Sequence, residues 1–231
     1  MLIKSKYTIK ELLESGVHFG HMKKYWNPKM QKYILCIENN IHIINLKKTI
    51  ICIYKTLKIL FKISSRNGQI LFINTKSQTS DITKKAAIKC SQNYVDYRWL
   101  GGTLTNLITI ILSVDNINYY NKILLHKNTN YTKKELLYFI KQKNKLDRNI
   151  GGIRKLKKLP DAIFIIDVKT HCIAVKEAKK LSIPIIGIVD TNSYPDNIDY
   201  IIPGNDDSRK AVILYSKLIS ETIILGLNFY K

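Results

Sequence analysis

Two histidines three residues apart are the first groups in the chain whose chemistry calls for an explanation. His18 and His21 lie in the stretch GVHFGHMKKYWNPKM, residues 16–30. Imidazole is a common metal ligand and general base, but no third ligand lies nearby in sequence, and the adjacent lysines would repel a cation. The pair is therefore interpreted as packing groups or as groups that face a bound polyanion. Asp190 and Asp206 follow predicted strands and could converge with His18, which keeps a structural magnesium site open as an alternative.

Lysines and aromatic residues are interleaved immediately after the histidines. The predicted contacts of these two types are Lys23, Lys24, Tyr25, Trp26, Lys29 and Lys32. Lysine neutralises phosphate groups, and an exposed ring stacks on an unpaired base. The alternative for Trp26 is that it anchors the segment to the body of the protein. The pattern predicts a nucleic-acid-binding arm at residues 16–33, with a turn at Asn27-Pro28.

A second basic region lies further along the chain. Residues 133–158 hold ten basic residues against Glu135 and Asp147, whereas residues 161–207 hold four lysines against eight acidic residues. Such asymmetry favours a one-sided anion-binding surface. A codon bias toward lysine is the alternative, but it does not explain why residues 161–207 are spared. The predicted contacts are Arg98, for which a salt bridge is the alternative, and Arg154, Lys155, Lys157 and Lys158.

The bulk composition points to the same kind of partner. The 231 residues include 38 Lys and Arg against 17 Asp and Glu, a formal charge of +21, and 45% are hydrophobic. A folded body with this charge repels itself unless an anion neutralises it, and nucleic acid is favoured over an acidic membrane surface. The four cysteines do not pair as C-x-x-C, so buried free thiols are expected rather than zinc. The chain shows neither a secretory signal at its start nor an apolar run of about 18 residues, so no membrane partner is expected.

Enzymatic signatures are weak. The chain contains no G-x-x-x-x-G-K-[ST], no G-x-G-x-x-G after a strand and no G-x-S-x-G, which are the usual phosphate-binding and nucleophile motifs. The carboxylates of residues 192–211 are interpreted as turn and cap residues. A nucleotide- or metal-dependent enzyme that uses His18, Asp190 and Asp206 is kept as the alternative function, and the prediction is that the chain is not an enzyme.

These residues must be positioned by secondary-structure elements, and along the sequence apolar runs typical of buried strands alternate with segments of helical periodicity. Strands are predicted at residues 41–45, 69–75, 93–99, 161–167, 183–190 and 199–205, and helices at 8–14, 47–66, 80–90, 171–181 and 206–225. This alternation predicts an α/β fold, a parallel sheet with helices on both faces. Residues 103–114 and 132–148 predict an antiparallel helical hairpin inserted between two Gly-Gly pairs. The domains are therefore a body at 1–102 and 152–231 and a hairpin at 103–151.

Several sequence blocks together resemble one protein family. SGVHFGHMKKYWNPKM, IHIINLKKT, RWLGGTLTN, LPDAIFIID and IPGNDDSRKAV occur in the order found in the bacterial and organellar ribosomal protein S2 family, and the resemblance covers about residues 8–226. It implies a flavodoxin-like body with a projecting hairpin and a structural, non-enzymatic role on the small subunit, where head meets body. It also implies binding to small-subunit rRNA, with Asn27 added to the arm contacts, and to neighbouring ribosomal proteins, including the messenger-binding protein S1 where that exists.

The residue usage adds an expectation about the cell. Ile, Asn, Lys and Tyr are abundant even at indifferent positions, which is typical of an AT-biased genome. The expected location is the ribosome of a plastid-like organelle, with a mitochondrion or the cytoplasm of a reduced bacterium as alternatives.

Overall fold

The structure is a computed structural model, which describes residues 8–125 and 131–230. Within these ranges the helices are α1 Ile9–Glu14, α2 Leu46–Ser64, α3 Ser80–Lys89, α4 Leu107–Leu125, α5 Lys133–Ile150, α6 Cys172–Lys180 and α7 Arg209–Tyr230. The strands are β1 Phe19–Met22, β2 Ile34–Glu38, β3 Ile41–Ile44, β4 Ile70–Ile73, β5 Asn93–Val95, β6 Ala162–Ile165, β7 Ile185–Val189 and β8 Tyr200–Pro203. Short 3-10 helices occur at Lys23–Tyr25, Pro28–Tyr33 and Gly151–Ile153.

The centre of the protein is a parallel five-stranded sheet in the order β5-β4-β6-β7-β8. Numbered along the chain, these strands have the order 2-1-3-4-5 of flavodoxin-like folds, so the predicted fold class is confirmed. Every residue of β4, β6 and β7 is buried. Strands covered on both faces read as continuous apolar runs, and for this reason the sequence predicted them.

Helices cover both faces of this sheet. Successive side chains of a strand point to opposite faces, and Ile70 and Phe72 pack in one core while Leu71 and Ile73 pack in another. The first core also contains residues of α1, α2, α3 and α7, and the second contains residues of α6 and the hairpin. By length and composition α7 could cross a bilayer, but 56% of its most apolar window is buried inside the protein, as expected for a helix that covers a sheet.

The inserted hairpin consists of α4 and α5, which pack against each other. α4 continues to Leu125, well past the predicted end at residue 114, and Tyr120 stacks on Phe139 with ring centroids 5.8 Å apart. Ile110 and Ile150 belong to the same buried core as β4, so the base of the hairpin packs against the sheet. The connector at residues 126–130 lies outside the described residues, and the domain boundaries remain a prediction.

A three-stranded antiparallel sheet in the order β1-β3-β2 lies beside the body. The sequence predicted only its central strand, β3. β1, with the sequence FGHM, has neither an apolar run nor strict alternation. β2, with the sequence ILCIE, opens with four apolar residues, a strand signal that was available, although its side chains are largely exposed. The predicted arm is therefore built from strand and 3-10 helix.

The cysteines differ from expectation in part. Cys90 is buried and Cys52 is half-buried, whereas Cys36 and Cys172 are exposed. All four are free thiols, as expected, but the prediction of burial is wrong for Cys36 and Cys172, since β2 and the start of α6 leave them on the surface.

Candidate nucleic-acid interface

Thr191, at the carboxyl end of β7, is the main backbone attachment of the arm to the body. The backbone N–H of His21 donates to Thr191 Oγ1 at 2.8 Å, and the N–H of Asn27 donates to the Thr191 carbonyl at 2.7 Å. Gly20 lies so close that a Cβ there would stand 2.6 Å from Thr191 Cγ2. Met30 is fully buried and ties the following 3-10 helix to the core. The arm therefore has a defined position on the body.

The predicted cations of the arm lie on its outer side. Lys23, Lys24 and Lys32 are exposed, and so is Tyr25, of whose surface 57% is accessible. The Lys24 ammonium lies 5.7 Å from the Tyr25 ring centroid and the Lys32 ammonium 5.1 Å from the Tyr33 ring. Across residues 8–125 and 131–230, no carboxylate pairs with Lys23, Lys24 or Lys32. The arm thus presents unneutralised cations next to aromatic faces.

The other predicted arm residues are partly engaged within the protein. Trp26 is half-buried, with its ring 5.1 Å from that of His42. Asn27 is buried, and its side-chain oxygen accepts a 3.0 Å hydrogen bond from the Lys29 N–H. Lys29 is exposed but forms an ion pair with Asp196. These three residues shape the arm, and only Lys29 offers a charged group to solvent.

Arg98 lies at the base of the hairpin, in the loop that follows β5. It is exposed and belongs to no ion pair among the described residues. Its neighbour Tyr97 stacks against the guanidinium of Arg148, with the guanidinium carbon 3.7 Å from the ring centroid. Residues from the end of α5 are in this way brought beside the β5 loop.

The loop carrying Arg98 is held by Glu177 of α6, which sequence reasoning missed. Glu177 Oε1 accepts from Trp99 Nε1 at 3.1 Å and from the Gly102 N–H at 2.8 Å. Glu177 Oε2 accepts from the Leu104 N–H at 2.9 Å and from the N–H and hydroxyl of Thr105 at 3.2 and 3.3 Å. Burial alone would raise the pKa of Glu177, but these hydrogen bonds outweigh it and lower the pKa. The carboxylate therefore stays ionised and orders the loop.

The remaining predicted contacts precede β6. Arg154, Lys155, Lys157 and Lys158 are all exposed. Arg154 pairs with Asp147 of α5, whereas the three lysines have no such partner among the described residues. This segment enters the amino end of β6, whereas the arm lies against the carboxyl end of β7 and Arg98 follows the carboxyl end of β5. The predicted residues are therefore distributed over separate parts of the surface.

His21 leads into an ionic cluster at the carboxyl edge of the sheet. His21 Nδ1 lies 3.1 Å from Asp190 Oδ2, and Nε2 lies 3.4 Å from Asp207 Oδ2. Lys76 pairs with Asp207, and its ammonium lies 3.7 Å from Asp206 Oδ1. The expected convergence at this edge is present, but it joins Asp190 to His21 and not to His18, whose charged neighbour is Glu38.

The cluster carries strongly perturbed pKa values. The hydrogen bond with Asp190 raises the pKa of His21. Burial, together with the charges of Asp190 and Asp167, raises the pKa of Asp206 to about 8. Burial would lower the pKa of Lys76, but its hydrogen bond with Asp207 and the charge of Asp206 leave it raised. His21, Lys76 and the proton held by Asp206 therefore together offset the negative charge at this edge.

This arrangement does not resemble a metal centre. Among residues 8–125 and 131–230, no group of three or more His, Cys, Asp or Glu side chains is placed to hold a metal ion. The Lys76 ammonium and the His21 ring lie where a cation would meet the carboxylates. The arrangement is that of an ion-pair network linking the arm, the loop after β4 and the start of α7.

Comparison with known proteins gives consistent matches over almost the whole chain. The model of the family described as Ribosomal protein S2 matches residues 12–226. The small ribosomal subunit protein uS2 of Ehrlichia chaffeensis is 49% identical over 219 residues, which cover 95% of this chain and 76% of that protein. The uS2 proteins of a Wolbachia strain from Drosophila simulans and of Coxiella burnetii are 50% and 47% identical, over 96% and 94% of this chain and 80% and 70% of theirs.

Proposed function

The chain belongs to the ribosomal protein S2 family, and from that premise we propose that its arm and hairpin base bind small-subunit rRNA near the head–body junction. Proteins of this family are structural, so the chain is a structural component of the small ribosomal subunit and not an enzyme. The alternative of a nucleotide- or metal-dependent enzyme is therefore dropped. The proposal concerns the surface of the chain that binds the RNA.

The observation that carries the proposal is the outer side of the arm. Lys23, Lys24 and Tyr25 are exposed on a segment whose backbone is bonded to Thr191, and no described carboxylate neutralises the two lysines. Phosphate contacts supply most of the affinity in such complexes, and stacking adds to it. A pre-positioned arm loses less conformational entropy on binding than a flexible one.

The other predicted residues take graded roles in the proposal. Lys32 is proposed as a third phosphate contact beside Lys23 and Lys24. Lys29 is a weaker contact because its charge is partly neutralised by Asp196. Trp26 and Asn27 maintain the shape of the arm. Arg98 is the proposed contact at the hairpin base. Lys155, Lys157 and Lys158 are the proposed contacts on the segment before β6, where Arg154 is partly neutralised by Asp147.

The proposed setting is a bacterial ribosome. The relatives from Ehrlichia, Wolbachia and Coxiella are bacterial proteins, which supports the cytoplasmic alternative and lends no support to a plastid-like organelle. Neighbouring ribosomal proteins are proposed as further partners, and docking of the messenger-binding protein S1 remains a prediction.

The test is incorporation of an arm variant into small subunits that lack this protein. Lys23→Glu/Lys24→Glu reverses two unneutralised charges, so we expect binding to small-subunit rRNA to weaken by about tenfold or more and to depend less on salt. Lys176→Glu/Lys180→Glu makes the same change on exposed positions of α6 and should incorporate normally. Equal behaviour of the two variants would assign the RNA contact to another surface.

A further inference from the structure

The side of α2 that faces away from the sheet carries a row of lysines. Lys47, Lys48, Lys55, Lys58 and Lys62 are exposed, while Leu46, Ile53, Leu57 and Leu60 are buried in the core. At 100° per residue the five lysines fall within about 100° of the helix circumference. With a rise of 1.5 Å per residue, the row from Lys47 to Lys62 is about 22 Å long, and exposed Arg66 follows it.

This row has no internal counter-charge. α2 contains no Asp or Glu, and across the part of the chain that the structure describes no carboxylate pairs with any of its five lysines. On α3, α6 and α7, by contrast, Lys84 pairs with Asp96, Lys179 with Asp199 and Arg209 with Asp81. Each of these three helices thus has at least one cation in an ion pair, whereas none of the five lysines of α2 is paired.

The lysines of α2 are also unfavourable for the helix itself. Lys55, Lys58 and Lys62 follow at intervals of three and four, where like charges repel each other on a helix surface. Lys47 and Lys48 lie in the first turn, where the positive end of the helix dipole disfavours cations. An external anion along this side would remove both penalties.

The row continues the surface of the arm. The Lys48 ammonium donates to the Lys32 carbonyl at 2.5 Å, which joins the start of α2 to the 3-10 helix of the arm. Burial raises the pKa of Cys52, while the charges of Lys55 and Lys32 both oppose that rise, so the two cations lie near the same thiol. The lysines of the arm and of α2 therefore lie on adjoining parts of the surface.

We propose that the lysine row of α2 is a second RNA-binding surface, which takes the phosphate backbone of an rRNA strand that continues from the arm. This inference rests on the proposed function for the identity of the RNA. An acidic protein would also be attracted, but lysine is depleted at protein–protein interfaces, which have apolar cores. The row contains one exposed large apolar side chain, Ile51, so it offers little for such a core.

The experiment compares Lys55→Glu/Lys58→Glu/Lys62→Glu with Lys169→Glu/Lys176→Glu/Lys180→Glu in the full chain. The control variant makes the same change of charge at exposed residues in and beside α6. Affinity for protein-free small-subunit rRNA is measured against KCl concentration. At about 0.7 per neutralised phosphate on a single strand, the slope of log affinity against log salt should fall by about 2 for the α2 variant and remain near the wild-type value for the control.

The triple glutamine variant at the same α2 positions guards against misfolding, because it removes charge without adding any. It should reduce the slope in the same direction while its thermal unfolding matches that of the wild type. Equal slopes for the α2 variant and the control would overturn the inference. Wild-type affinity of the α2 variant for bare rRNA combined with failed entry into subunits would also overturn it, and would indicate an acidic protein partner.

Failure of this inference is separate from failure of the proposed function. If wild-type protein binds the rRNA and only the arm variant Lys23→Glu/Lys24→Glu weakens binding, the proposed function stands and the α2 surface is excluded. If neither the wild type nor any variant binds small-subunit rRNA, the proposed function itself is wrong.

Discussion

Thr191 holds the arm, whereas Glu177 holds the base of the hairpin, and the two anchors differ in charge and in what they bind. Thr191 uses a neutral hydroxyl and a backbone carbonyl to fix two backbone N–H groups, while Gly20 packs closely against its side chain. Glu177 uses one buried carboxylate to fix a tryptophan, a threonine and three backbone N–H groups. Both hold segments that carry cations predicted to bind RNA.

The two attachments should therefore be weakened by different kinds of substitution. The contacts of the arm are shared between backbone groups and tight packing, so no single side chain carries them all. The loop at the hairpin base converges on one side chain, because buried donors that lose a carboxylate are left without any acceptor. We therefore expect the base to be sensitive to a single deletion and the arm to be sensitive to added bulk.

The largest effect is expected at Glu177. Glu177→Ala removes five accepted hydrogen bonds. It leaves the Leu104 N–H buried and the donors of Trp99 and Gly102 half-buried without an acceptor, so the free energy of unfolding should fall on the order of 3 kcal/mol. Urea unfolding measures this loss. Amide hydrogen exchange should accelerate at Leu104 and Thr105 and remain unchanged at His21, because the anchor of the arm is intact.

The neighbouring exposed residue provides the control for this prediction. Lys176→Ala lies on the solvent side of the same helix and should change the free energy of unfolding by no more than about 0.5 kcal/mol. A loss below about 1 kcal/mol in Glu177→Ala, or equally faster exchange in the arm, would remove the distinction between the two anchors.

A smaller effect is expected at Gly20. An added methyl group would stand 2.6 Å from Thr191 Cγ2 and 3.1 Å from the His42 carbonyl oxygen, so Gly20→Ala should lower the free energy of unfolding by about 2 kcal/mol through overpacking. Exchange should accelerate at His21 and Asn27 and stay slow at Leu104. Thermal unfolding and exchange measured together test both parts.

Gly101 is the matched glycine at the hairpin base. A Cβ at Gly101 would meet nothing within 4 Å, so Gly101→Ala should leave both stability and exchange near wild type. If Gly101→Ala is as harmful as Gly20→Ala, the loss reflects a general need for glycine and not the close fit against Thr191.

The parallel strands that carry both regions were predictable from the sequence because each is a continuous apolar segment. The run at residues 161–167 became β6, and the run at 183–190 became β7, since strands buried on both faces need apolar side chains throughout. The helix predicted at residues 8–14 is present as α1, and it starts with a capping box of Thr8 and Glu11, a Thr-x-x-Glu spacing that marks a helix start. The strand predicted at 93–99 ends earlier, at Val95, because exposed Tyr97 and Arg98 already belong to the loop.

The anchors were less predictable because they join residues distant in sequence. Glu177 lies next to buried Ala178 on α6, and a carboxylate on the apolar side of an amphipathic helix was an available signal. Its partners lie more than 70 residues earlier, and no local pattern names them. The choice of His21 over His18 as the partner of Asp190 likewise depends on β1, which the sequence did not reveal.

The smallest effects on stability should come from pH, and they should act in opposite directions at Glu177 and at His21 of the arm. Glu177 has a pKa below its ordinary value of 4.5, so its contribution is present above pH 4.5 and is lost as pH falls through the lowered pKa. His21 has a pKa above 6.5, so its ion pairs contribute fully below pH 6.5 and are lost as pH rises through the raised pKa. Asp206, with a pKa raised to about 8, also disfavours folding as pH rises.

The difference in free energy of unfolding between a variant and the wild type separates the contribution of Glu177 or His21 from those of the other titrating groups. The stability gap between wild type and Glu177→Gln should narrow as pH falls below 4.5, and the gap between wild type and His21→Gln should narrow as pH rises above 6.5. Urea unfolding from pH 3.5 to 8.5 measures both gaps. If the His21 gap narrows toward acid instead, the ring is not charged against Asp190 and Asp207 in the folded protein. The ion pairs at the edge beside the arm would then come from Lys76 alone.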